Sequence, residues 1–179
     1  MILKTDRLLI RKFIEEDFDD FCHYAMDDDM CKMMGRDLMT TRDQARLNFN
    51  WLKDKEERGY ALVDREDGRV IGNLTVTKVP DDLSDLEELK DLRGVSMSFS
   101  LGRPHQRKGL MEEAIRSVLD QVFFEEKMDF VHCGHFDFNI ASANLQKKLG
   151  FNVITRLEFQ IEGETYRTHE SVLWKQAWL

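Results

Sequence analysis

Cysteine is scarce: Cys22, Cys31 and Cys133 are the only three. So small and odd a number builds no disulfide framework, and reduced thiols in a cytoplasmic setting are expected. Long apolar runs are missing as well. No stretch approaches the ~18 consecutive apolar residues that a bilayer-spanning helix needs. The opening MILKTDRLLIRKF alternates apolar and charged residues, unlike the uninterrupted apolar core of a secretory signal peptide. Neither a fixed-period repeat nor a low-complexity tract is present. Excess positive charge is also lacking, because 26 Lys and Arg face 34 Asp and Glu, a net charge of −8. Such a chain repels nucleic-acid phosphates and suits a cationic partner. Neither nucleic acid nor membrane is therefore expected as a partner.

What remains is ordinary globular material. The 179 residues are 42% apolar and 34% charged, enough for one domain over residues 1–179 with its own core. Arg7–Phe13 reads as a strand. Asp17–Met26 reads as a helix, with Phe18, Phe21, Cys22 and Ala25 at helical spacing. Thr40 or Thr41 can cap a second helix carrying Ala45, Leu47, Phe49, Trp51 and Leu52 towards Gly59. Tyr60–Asp64 and Val70–Val79 form a hairpin around Arg65-Glu66-Asp67-Gly68. In Asp81–Arg93, leucines 83, 86, 89 and 92 recur every three residues among acids; the segment reads as a short amphipathic helix or folded loop inserted between strands, a solvated cap or an acidic flap beside a cationic acceptor. Gly94–Leu101 is a strand, Gly109–Glu126 a long helix and Phe130–Phe136 a strand. Ser142–Leu149 is a helix ended by Gly150, and Phe151–Ile161 and Tyr166–Trp174 close as strands around Glu162-Gly163-Glu164. Helices alternate with strands only in the second half. This predicts an α/β (α+β) fold with a mixed sheet, not a doubly wound parallel one.

The chemistry concentrates in FSLGRPHQRKGLMEEAI, Phe99–Ile115. A strand ends, a glycine-bearing turn follows, and a long helix begins. A helix N-terminus exposes unpaired N–H groups and partial positive charge, which suit an anion. Gly109 lets a bulky anion approach the backbone, and Arg103, Arg107 and Lys108 reverse the overall sign of the chain at this spot. A polyphosphate ligand fits. Gly-Lys-Ser/Thr is absent, as is Gly-x-Gly-x-x-Gly. A nucleotide-binding regulatory domain remains open at this point.

The turn resembles the pyrophosphate loop of the GNAT superfamily, Gln/Arg-x-x-Gly-x-Gly/Ala, with Gln106, Arg107, Lys108, Gly109, Leu110 and Met111 in its six places. Met111 departs from the small residue at the last place. MEEA, Met111–Ala114, is similar to the branch of ribosomal-protein N-terminal (alanine/serine) acetyltransferases. Asn139 to Phe151 resembles that family's Asn-x-x-Ser-x-x-x-x-x-Lys-Leu-Gly-Phe block, and Thr5–Arg11, TDRLLIR, the opening of the same branch. The resemblance implies a central, mostly antiparallel sheet of about 6–7 strands flanked by about four helices. It implies acetyl-CoA as cofactor, an amine acceptor that is a protein N-terminus or a small molecule, and a monomer or homodimer.

By the same resemblance, backbone groups of Phe99, Ser100 and Leu101 should pair with the pantetheine arm as an added strand does. Amides from Arg107 through Lys108, Gly109, Leu110 and Met111 to Glu112, with Gln106 before them, should hold the pyrophosphate. Asn139, Ser142 and Asn144 should lie near the pantetheine and thioester. Asn139 can also be a turn residue and Ser142 a helix cap. The familiar acid Tyr is replaced by Gln146 and a familiar base Glu by Gly134. Ser142 and His135 are therefore the catalytic candidates, Ser142 at the thiol and His135 as a proton carrier. A non-catalytic acyl-CoA-binding module is the alternative. Glu158, Glu162, His169 and Glu170, on the last hairpin, are candidates to reach the acceptor or are structural and solvated. No metal is expected, since neighbours His132 and Cys133 point to opposite faces of a strand. Asp27-Asp28-Asp29 reads as a solvated helix end.

Overall fold

The computed structural model describes residues 2–54, 58–161 and 164–178. In chain order, they form β1 (Leu3–Lys4), β2 (Leu8–Arg11), α1 (Phe18–Ala25), α2 (Asp28–Met33), α3 (Arg42–Lys53), β3 (Gly59–Asp64) and β4 (Val70–Thr77). Then come α4 (Asp81–Ser84), β5 (Gly94–Leu101), α5 (Leu110–Asp120), β6 (Phe130–Phe136), α6 (Ile140–Leu149), β7 (Asn152–Ile161), β8 (Glu164–Trp174) and α7 (Lys175–Trp178). The sheet order is β1-β2-β3-β4-β5-β6-β8-β7, mostly antiparallel, with β5 and β6 parallel. A parallel pair needs a crossover, and α5 supplies it.

The chain forms two compact units. One holds the residues up to Val76 together with Ser98–Val118. Its core is aromatic: Phe13, Phe18, Phe21 and Phe49 meet edge-on at centroid distances of 5.2 to 6.2 Å. α3 starts as the sequence suggests. Thr41 caps α3, accepting from Gln44 N, while Gln44 reaches back to the Thr41 amide. The buried stripe of α3 is Ala45, Phe49 and Leu52, whereas Leu47 and Trp51 face outward. The expected strand at Arg7–Phe13 is the shorter β2, and its hairpin partner β1 pairs Leu3 with Ile10.

The other unit holds Thr77–Met97 and the chain from Leu119 onward. Here β5 pairs β6 from Gly94↔Phe130 to Ser96↔His132. β6 pairs β8 from Phe130↔Trp174 to Phe136↔Thr168, and β8 pairs β7. Glu162 and Gly163 of the expected turn lie outside the described residues. The leucine-spaced insert is only the one-turn α4 followed by turns. Leu83 and Leu89 pack with Phe130 and Val172, while Leu92 is exposed. A three-residue step lags a helical turn by about 60°, so these leucines cannot share one long helix face.

Three further expectations are corrected. The described residues carry eight strands and seven α-helices, against the expected 6–7 and four, and the extra elements β1, α2, α4 and α7 are at most six residues long. Asp27-Asp28-Asp29 does not end a helix but starts one: Asp27 Oδ1 accepts from Met30 N at 3.0 Å and caps α2. The long helix begins at Leu110 rather than Gly109, and residues Gln121–Glu125 widen to a π turn.

Candidate active site

In the first unit, β5 ends with Phe99 half-buried and Ser100 and Leu101 buried. Ser100 Oγ donates to Asn73 Oδ1 at 2.6 Å, and Tyr24 Oη donates to the same oxygen at 3.1 Å. The turn after it is shaped by two left-handed residues, Arg107 at φ +60° and Gly109 at φ +77°. Glycine takes that conformation freely, whereas an arginine there stores about 1–2 kcal/mol of strain. Left-handed residues at alternate positions curl successive amides towards one side, the arrangement that cradles anions. The first intrahelical bond of α5 is Glu113 N to Gly109 O at 3.0 Å. The amides of Leu110, Met111 and Glu112 therefore point out of the helix end.

Side chains brace this turn. Gln106 Nε2 donates to Leu101 O at 2.9 Å, so Gln106 ties the turn to the end of β5. Arg7 Nη1 donates to Lys108 O at 2.8 Å, and its Nε to Glu113 Oε2 at 2.7 Å. Thr5 Oγ1 and the Arg7 amide both donate to Glu113 Oε1, at 2.6 and 2.9 Å. The opening Thr5-Asp6-Arg7 is thus a clasp on the anion turn. Arg107 and Lys108 are exposed. Arg103 is not part of the positive patch: its guanidinium is taken up by Asp29 at 2.6 Å and Asp27 at 3.1 Å. That local pairing cancels one of the three cations.

The second unit gathers the chemistry-bearing side chains. Asn139 Oδ1 accepts from Ser142 N at 3.1 Å, so Asn139 caps α6 and Ser142 does not. Ser142 and Asn144 sit on the first turns of α6, with Ser142 half-buried and Asn144 exposed. Gln146 is 2% exposed. Its Nε2 donates to Ser142 Oγ at 3.1 Å and to Gly134 O at 3.4 Å. Its Oε1 faces His135 Nδ1 at 3.1 Å. The His135 ring stacks on His169 at 5.2 Å. Burial, joined by the neighbouring His169 and opposed by the Gln146 bond, holds the His135 pKa below the usual imidazole value. The ring is thereby kept neutral, as a proton acceptor must be.

A second group lies on β6 and β8. His132 Nε2 donates to Glu170 Oε2 at 2.7 Å, Thr168 Oγ1 donates to Glu170 Oε1 at 2.5 Å, and Ser96 Oγ meets His132 Nδ1 at 3.0 Å. Burial pushes the Glu170 carboxyl up, but the bonds from His132 and Thr168 outweigh it and hold the pKa low. Glu170 is paired with Gly134 across the ladder. A Cβ on Gly134 would stand 2.5 Å from Glu170 Oε2. Cys133 is buried and its thiol is pushed up to about 12, which removes it as a nucleophile.

A domain model described as acetyltransferase (GNAT) domain matches residues 7–152, a span that includes both the anion turn and the start of α6. The chain belongs to this family. It is similar to the uncharacterized N-acetyltransferase p20 of Bacillus licheniformis, 26% identical over 153 residues, covering 83% of this chain and 81% of that one. Its fold is also that of a GNAT-family acetyltransferase from Bacillus anthracis, with a TM-score of 0.84, 18% identity and coverage of 98% and 99%. The ribosomal-protein-S5-alanine acetyltransferase of Vibrio fischeri shares it at a TM-score of 0.75, 15% identity and coverage of 100% and 99%. Members of the family use acetyl-CoA as acyl donor.

Sequence reasoning named the turn, Asn139, Ser142 and His135. It took Gln146 only as a lost acid and Glu113 only as part of a motif. It passed over His132 except as a metal ligand. Strand parity carries the missing signal, since residues 132 and 134 share a face, but the β8 register that brings Glu170 to them is non-local.

Proposed function

We propose that this protein transfers the acetyl group of acetyl-CoA to a primary amine in a ternary complex. The observation that carries the proposal is the turn with left-handed Arg107 and Gly109 at the start of α5, which suits two linked phosphates. Amides from Arg107 to Glu112 hold the pyrophosphate, with Arg107 and Lys108 adding charge. Backbone groups of Phe99, Ser100 and Leu101 pair with the pantetheine arm. Asn139, Ser142 and Asn144 lie along pantetheine and thioester.

His135 Nε2 takes a proton from the ammonium form of the acceptor. The amine nitrogen then attacks the thioester carbonyl carbon, and a backbone N–H near Leu101 stabilises the oxyanion. The C–S bond breaks, the thiolate takes up the Ser142 Oγ–H, and the extra proton on the newly acylated nitrogen returns to Ser142 Oγ, while His135 passes its proton to solvent. The products are the acetamide and free coenzyme A, with one proton released to solvent. The acceptor is a protein α-amine or a small amine. Fold similarity at 15% identity to an alanine acetyltransferase does not choose between them.

A second reading, an acyl-CoA-binding module without turnover, is favoured by Gln146 and Gly134 standing where familiar catalytic groups are carried. Thiol release from acetyl-CoA over peptides starting with Ala or Ser, spermine and simple alkylamines separates the two. Release with any amine supports the enzyme. Coenzyme A binding without release supports the module. Amide shifts on adding coenzyme A that spare residues 106–112 overturn both.

A further inference from the structure

We infer that Gln146 is a positioning residue that sets the proton placement of His135 and Ser142 together; this rests on the proposed roles of those two groups. The amide orientation follows from chemistry. Gly134 O can only accept, and it lies 3.4 Å from Gln146 Nε2, so the NH₂ end faces it. The same NH₂ donates to Ser142 Oγ at 3.1 Å. The opposite end is then a carbonyl oxygen, 3.1 Å from His135 Nδ1. A carbonyl oxygen accepts, so Nδ1 carries the hydrogen, and in the neutral ring the lone pair is left on Nε2.

The serine is fixed by the same group. Ser142 Oγ spends a lone pair on Gln146, so its own hydrogen turns to another acceptor and stays available for a thiolate. Residues 142 and 146 are one helical turn apart on one face, and Asn139 anchors the Ser142 amide. At 2% exposure, water cannot substitute for a lost partner without cost. An amide meets both demands because it has one donor end and one acceptor end. A carboxylate at 146 accepts at both ends: it draws the Ser142 hydrogen inward and favours a charged His135. Leucine does neither. His169 stacks on His135 and Glu170 acts on it electrostatically, both from β8; Gln146 is the partner on α6.

The test compares wild type, Q146L and Q146E by the two-bond ¹H–¹⁵N correlations of His135 at pH 8, and by kcat and KM against pH with the best amine of the panel above. The wild-type ring should be Nδ1-protonated. Q146L should shift it towards the Nε2-protonated form and lower kcat by about tenfold or more, with less than a twofold change in coenzyme A Kd. Q146E should move the acidic limb of kcat to higher pH. If Q146L does not fold, the wild-type tautomer and the acidic limb of Q146E, which should rise if Gln146 faces His135, carry the test. A wild-type ring protonated on Nε2, or a tautomer indifferent to both substitutions, overturns the inference while leaving the proposed function intact. A tautomer that switches with kcat unchanged overturns it together with the base role of His135. No thiol release by the wild type removes the proposed function and the inference with it.

Discussion

Replacing Gly134 by alanine tests the Glu170 site directly. The added methyl would lie 2.5 Å from Glu170 Oε2 and 3.2 Å from Oε1 and Cδ. Ordinary contact begins only at 3.4 Å. A free glutamate would swing aside, but this one is 6% exposed and pinned by His132 at 2.7 Å and Thr168 at 2.5 Å. Moving it stretches a charge-assisted bond, which is worth about 1.5–3 kcal/mol. Forcing a methyl into a place already taken by a pinned neighbour costs about 1–3 kcal/mol. These describe one displacement and are not summed, so G134A should cost about 2 kcal/mol. For a chain of this length that lowers Tm by about 4–8 °C, readable by calorimetry and by urea titration. The control is the cycle with E170A. E170A alone should cost more, because it leaves two donors, His132 Nε2 and Thr168 Oγ1, without their acceptor, at about 1–3 kcal/mol for each buried group left unsatisfied. In that background the methyl meets no oxygen, and the G134A penalty should vanish. A penalty that is equal in both backgrounds, or absent in the wild type, refutes the contact. The pH dependence has a definite sign. A carboxyl whose folded pKa lies below the ordinary 4.5 stabilises fully above that value and loses its contribution as pH falls through the folded pKa. The gap between wild type and E170Q should therefore narrow below about pH 4.5.

Ser142→Ala should slow acetyl transfer far more than it weakens acetyl-CoA binding, and unchanged turnover in a stopped thiol assay removes Ser142 from the mechanism. Arg107→Gly keeps a residue at ease in the left-handed turn while deleting the charge, so coenzyme A affinity should fall with unfolding free energy held; calorimetric titration at two salt concentrations should show a weaker salt dependence than wild type. Glu113→Ala unfastens Thr5 and Arg7 from α5 and should cost about 1–2 kcal/mol, at the low end for charged hydrogen bonds because Arg7 is half exposed; a urea midpoint equal to wild type counts against the clasp. Because burial holds the His135 pKa low, kcat/KM should lose activity only below the usual imidazole pKa, and a limb that persists in H135Q assigns it to another group.

Local signals made much of the fold legible. β5 and β6 have the bounds expected from GVSMSFSL and the following strand, because a period of two between glycines and polar turns leaves little choice. α3 starts where Thr41 and Gln44 form a capping box. What failed was short or competed for. α2 has six residues and no periodicity to detect, and only the Asp27 cap shows its start. The leucine period of three admits a short helix or a folded loop; the chain uses both, α4 and the turns after it, which place Leu89 in the core. Residue type alone does not separate Leu47 and Trp51, which α3 leaves exposed, from the stripe through Ala45, Phe49 and Leu52 that it buries.

The turn in the first unit and the polar cluster in the second differ in legibility for the same reason. The anion turn is a consecutive stretch, and its demands are met by residues within a few positions: Gly109 for the left-handed angle, the start of α5 for the amides, Gln106 to reach Leu101. Arg103 leaves the basic patch because Asp27 and Asp29 arrive from α2, a pairing that local sequence does not show. The proton-handling groups come from β6, α6 and β8, and pattern alone cannot state which side chains meet. Gln146 read by itself is a residue that cannot serve as an acid. Beside His135, Ser142 and Gly134 O it is a group with all of its polar ends engaged, and Gly134 is less a lost base than the space a carboxylate from the neighbouring strand requires. The apparent loss of two catalytic groups at 134 and 146 is thus two substitutions, each explained by a contact made in the folded chain. The G134A/E170A cycle and the His135 tautomer test them separately.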